Sequence, residues 1–178
     1  MLIAYLLMFC RWSIALTFLG SAVGKARDLE SFRLAITELR ALPAGAARPA
    51  ALGTVLAEGL VVLGMAIGHA ALPAGFLLAA GLLVLFCLVL TAALRRGPGV
   101  SCNCFGASER PISWYDLGRN VVLLVCCVAG LISYVLADHG PPSAPVIVLL
   151  GLMAGCFFLI VSNTADIVEL LRKPYLVE

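Results

Sequence analysis

Two cysteines one residue apart, Cys102 and Cys104, are the residues in this chain best placed to do chemistry. They lie in Cys102-Asn103-Cys104-Phe105-Gly106, flanked by Pro98, Gly99 and Gly106, which allow a tight backbone. Residues two apart in a turned or extended loop bring their Cα atoms to roughly 5.5–6.5 Å, inside the disulfide window. So small a ring is strained, and strain makes a disulfide easily reduced and therefore oxidising. Arg95, Arg96 and Arg110 are nearby in sequence and favour the thiolate, the reactive form. The residues alone leave a redox-active pair, a static staple and two unpaired thiols all open, because labile and structural pairs share one geometry. Zinc wants four ligands and the pair supplies two, so no zinc site is expected; a transient soft-metal site for Cu(I) is a minor alternative.

Two charged residues fall inside apolar runs, Arg11 and Glu58. An ionisable group within a membrane is costly and is paired or functional. Measured along antiparallel helices, Arg11 lies roughly 18 Å and Glu58 roughly 12 Å from the same membrane face. Long side chains bridge that offset, so a structural ion pair between them is expected in preference to a proton relay. Glu58 shares a helical face with Ala50, Thr54 and Ala57, and Gly20 to Gly24 forms a G-x-x-x-G extended by Ser13, Thr17 and Ser21. Both are surfaces for close helix packing.

The elements that position these residues follow from composition. Mean hydropathy is +1.08, with 62% hydrophobic and 12% charged residues. A water-soluble domain carries about twice that charged fraction, so lipid must cover the apolar excess. A net charge of +2 with no basic run or aromatic platform excludes nucleic acid as a partner. The expected fold is all-α, a polytopic transmembrane bundle over residues 1–178: four core helices plus a C-terminal one. A span needs roughly 20 apolar residues, and five stretches qualify: about 2–23, 50–68, 72–94, 117–137 and 144–161. Of the seven cysteines, Cys10, Cys87, Cys126, Cys127 and Cys156 sit within these runs and read as small hydrophobes. The N-terminal run lacks a basic region and a cleavage site and is expected to be retained.

Between the first two spans, Leu29, Phe32, Ile36 and Leu39 share a face, which predicts a helix lying in the interface. Ser113 followed by Asp116 predicts the start of the fourth span, with Trp114 and Tyr115 at the aromatic belt. Lys25, Arg27, Arg33, Arg40, Arg48, Arg95, Arg96, Arg110, Arg119, Arg172 and Lys173 all fall on one side of a five-span chain. The positive-inside rule makes that side, with the C-terminus and the cysteine pair, cytoplasmic.

Taken together these features resemble the MauE family of methylamine-utilisation membrane proteins, within the DoxX-like group. The matching residues are Gly24-Lys25, Phe32, Leu42-Pro43, Glu58, the run from Cys102 to Gly106, and Arg119-Asn120. One departure is Asn103, where family members often carry Gly, which makes the loop here less flexible. The resemblance implies a multi-pass protein of the cell (inner or plasma) membrane that matures or exports a disulfide-containing client such as an amine dehydrogenase subunit. It implies a thioredoxin-like partner and thiol–disulfide exchange at Cys102 and Cys104, and the DoxX-like link implies a quinone as candidate cofactor. A non-catalytic scaffold that docks a thioredoxin-like protein is the alternative. Oxidative maturation of an exported client wants the cysteines outside, whereas charge places them inside. Either the pair exchanges electrons with a cytoplasmic partner or the orientation is inverted.

Overall fold

The computed structural model describes residues 2–38, 44–96, 113–136 and 144–164. Six α-helices account for nearly all of them: α1 (Leu2–Arg27), α2 (Leu29–Glu38), α3 (Ala47–Ile67), α4 (Leu72–Arg96), α5 (Trp114–Leu136) and α6 (Ala144–Ser162). Five are long and apolar enough to cross a membrane, and the short one is α2. Pro49, Pro73 and Pro145 all fall in the first turn of a helix, where a missing N–H costs nothing.

The spans stand close to the expected positions, with one informative extension. α1 does not stop at Val23 but continues through Gly24 and Lys25 to Arg27. Asp28 then starts α2, its Oδ1 accepting a 3.0 Å hydrogen bond from the Ser31 N–H, as an N-cap side chain does. α2 lies against α3, with Phe32 and Ala35 buried, Leu29 and Ile36 half-buried and Leu34 exposed. Its amphipathic face was legible in the sequence; Leu39 lies outside the described residues.

α1 is the central element, packed against α3, α5 and α6, while α4 joins α3 to α5. The helices α1, α3, α4 and α5 thus close a four-helix bundle, and α6 leans on the outside of α1. The buried stripe of α1 runs Leu7, Cys10, Ser13, Ile14, Thr17, Phe18, Ser21 and Lys25, a helical spacing. Two glycines set how closely helices approach. A Cβ at Gly20 would lie 2.8 Å from the Phe158 ring of α6, and one at Gly130 would lie 2.5 Å from the Phe76 ring of α4. At the end where α3 turns into α4, His69 stacks obliquely on Tyr134 of α5, ring centroids 4.5 Å apart. Outward-facing Leu56, Leu60, Val125, Val135, Leu149 and Leu152 are exposed, as a lipid-facing surface requires.

A buried Lys–Glu cluster as candidate functional site

Segment 97–112, which carries Cys102 and Cys104, lies outside the described residues. The described chemistry gathers instead around Glu58. This residue lies midway along α3 on the buried face formed with Ala47, Ala51, Val61 and Met65. Its side chain is fully buried, and the Lys25 Nζ donates to Glu58 Oε1 at 2.6 Å. The Ser21 hydroxyl, one turn before Lys25, donates to the same oxygen at 2.9 Å. Lys25 also donates to Ser21 Oγ. The rings of Phe32 from α2 and Phe86 from α4 flank the ammonium, each centroid 5.3 Å away. A desolvated cation over aromatic faces gains roughly 2 kcal/mol.

This arrangement corrects the expected Arg11–Glu58 pair. Arg11 instead donates from Nε to the Met65 carbonyl at 2.6 Å and from Nη2 to the Ala66 carbonyl at 3.3 Å. It satisfies carbonyls of the last turn of α3, which have no partner within the helix, and places a cation at the negative end of the helix dipole. The reason lies in side-chain direction. Helical side chains lean toward their own N-terminus. On antiparallel α1 and α3, Arg11 and Glu58 therefore lean apart, whereas Lys25 and Glu58 lean together.

Lys25 is the residue of this cluster that charge counting hides. Counted as an orientation signal, it reads as a loop residue; the signal that could have found it is the buried stripe itself. Stepping by four from Ser13 and Thr17 through Ser21 lands on Lys25.

Beside the pair is a small cavity of ≈ 20 Å³, lined by Thr17, Ser21, Glu58, Leu83, Arg119 and Asn120 among others. Asn120 is buried, its Nδ2 donating to the Asp116 carbonyl at 3.1 Å. Asp116 Oδ2 in turn accepts from Ser113 N at 2.9 Å and Ser113 Oγ at 3.0 Å, the expected closure of the first turn of α5. A space of this size holds about one water. A quinone ring does not fit a space of this size.

Cys10, Cys126 and Cys127 are buried in the apolar core, Cys87 is half-buried, and none of these is in a disulfide. Cys156, which reads in the sequence as a small hydrophobe, is exposed on the outer face of α6. Among the described residues no group of three or more His, Cys, Asp or Glu side chains could hold a metal ion.

The family model for methylamine utilisation protein MauE matches residues 3–133. The chain belongs to that family. The match takes in α1 to α4, nearly all of α5 and segment 97–112, and thus both halves of the Lys25–Glu58 pair and the Cys102–Gly106 run. The chain is 33% identical over 117 residues to the methylamine utilization protein MauE of Paracoccus denitrificans, covering 65% of this chain and 63% of that relative. The alignment therefore spans less than two thirds of the relative's length. No solved structure matches the chain. Membership of the MauE family and five membrane-length helices agree with a multi-pass membrane protein.

Proposed function

We propose that this protein acts in the maturation or export of a disulfide-containing client of the methylamine-utilisation type, through thiol–disulfide exchange at Cys102 and Cys104. The observation that carries the reading is that Cys102-Asn103-Cys104-Phe105-Gly106 falls inside the MauE-matched residues and joins α4 to α5. In the forward direction a partner thiolate attacks the Cys102–Cys104 bond, forming a mixed disulfide and releasing one thiolate. The partner's second thiolate then displaces the remaining cysteine. The partner becomes oxidised to a disulfide, and Cys102 and Cys104 are left as thiols carrying the two electrons. A thioredoxin-like protein is a suitable exchange partner because its paired cysteines run the same steps either way: its dithiol reduces the Cys102–Cys104 bond, and its disulfide takes the two electrons back.

Thiol mass-shift labelling in graded redox buffers tests this. Cys102 and Cys104 are expected to titrate together between dithiol and disulfide, and a single Cys102→Ser or Cys104→Ser variant to trap the mixed disulfide. A pair that stays oxidised throughout, or full function in the double serine variant, ends the redox reading. What would then remain is a membrane scaffold that docks a thioredoxin-like protein.

A further inference from the structure

We propose that the cavity beside Glu58 is a water site, where one ordered water joins the buried Lys25–Glu58 pair through Asn120 to the first turn of α5. The two oxygens of Glu58 are treated unequally. Oε1 accepts from both Lys25 and Ser21, while Oε2 is buried with no hydrogen-bond partner among the described residues. Buried polar atoms in folded proteins are almost always partnered, by protein or by ordered water. Oε2 calls for a donor, and the adjoining space of ≈ 20 Å³ exceeds the roughly 10–15 Å³ that one water needs.

A buried water also needs two or more polar partners. Asn120 lines the same cavity and supplies the second. Its amide nitrogen is engaged with the Asp116 carbonyl, which leaves the amide oxygen to accept the water's other hydrogen. A cation in this place would face Lys25 and Arg119, so a neutral donor is favoured. The groups facing Glu58 are Lys25 and Ser21 from α1, Arg119 and Asn120 from α5, and the non-titratable Leu83 and Phe86 from α4. With the water in place, hydrogen bonds run from Glu58 through the Asn120 amide to the Asp116 carbonyl in the first turn of α5.

Infrared difference spectroscopy of the purified full chain in lipid nanodiscs, in H2(16)O and H2(18)O, tests the site. The wild type is expected to show an isotope-shifted stretch of an internal water bonded to a carboxylate. The band should disappear in Asn120→Leu, which fills the cavity, and persist in Ser133→Ala, a buried polar position on the same helix. Absence of the band in the wild type, or its survival in Asn120→Leu, overturns the proposal.

Discussion

At the scale of single residues, the protein turns on how a carboxylate and an ammonium are kept in an apolar bundle. Lys25 and Glu58 are almost wholly buried, and each is the other's principal compensation. Removing one partner leaves an uncompensated charge, a loss of about 3–5 kcal/mol, whereas replacing both by apolar residues of similar volume is often close to neutral. Lys25→Met and Glu58→Leu are thus each expected to lower the unfolding free energy strongly, and the double variant to recover most of it. Additive effects in that double-mutant cycle would deny the contact. Arg11 belongs to a separate arrangement at the end of α3. Arg11→Met should cost about 1 kcal/mol through loss of the helix-end interaction, and it should add independently to Glu58→Leu. Glu58 and its need for a partner are legible in the sequence; which cation serves is not, because distance along the helices omits the direction in which side chains lean.

At the scale of elements, two features can be tested apart from the site. Asp28 begins α2, and the hydrogen bonds from Ser31 hold its carboxyl below the ordinary value of 3.8. A depressed folded value means the cap stabilises α2 above the unfolded pKa, and that contribution fades as pH falls through the folded one. The Arg33 guanidinium, hydrogen-bonded to Glu30, lowers the Glu30 carboxyl in the same way. Amide protection in α2, taken against the intrinsic exchange rate at each pH, should accordingly fall on acidification below about pH 4, and Asp28→Asn should flatten that dependence because an amide oxygen still caps without titrating. An α2 whose protection ignores acid would remove the cap's role. Close helix packing offers the second test. Gly130→Ala pushes a methyl into the Phe76 ring and within 3.1 Å of Cys10 Cβ, whereas a Cβ at Gly81 meets nothing within 4 Å. Overpacking of this kind costs about 1–3 kcal/mol, so thermal unfolding should fall for Gly130→Ala and hold for Gly81→Ala. The five spans were legible because twenty-residue apolar runs have few other solutions. The Gly130–Phe76–Cys10 contact was not, because it depends on which faces of α1, α4 and α5 meet, and a stripe on one helix does not name the helix it packs against.

At the scale of the whole molecule, charge and helix order together predict the orientation in the membrane. With α1, α3, α4, α5 and α6 as spans, the chain crosses an odd number of times and its ends lie on opposite faces. Eleven of the twelve Lys and Arg residues belong to one face by connectivity: the end of α1 with α2, the ends of α4 and α5 that flank segment 97–112, and the tail after α6. The twelfth, Arg11, is drawn inward to the α3 carbonyls. Lys25 adds little to this bias, since an ammonium bound to Glu58 is shielded from the lipid headgroups. Ten cations remain without it, against a turn between α3 and α4 that carries only His69. The asymmetry therefore survives the correction, and the C-terminus is expected in the cytoplasm with the α3–α4 turn outside. A fluorescent-protein fusion after Glu178 should fluoresce and an alkaline phosphatase fusion there should be inactive, while phosphatase inserted at Gly68–His69 should be active. The paired insertion matters because a chain that failed to enter the membrane would silence the phosphatase at both places. Phosphatase active at the C-terminus and silent at the turn would invert the molecule, and would put segment 97–112 with Cys102 and Cys104 on the face where an exported client is oxidised.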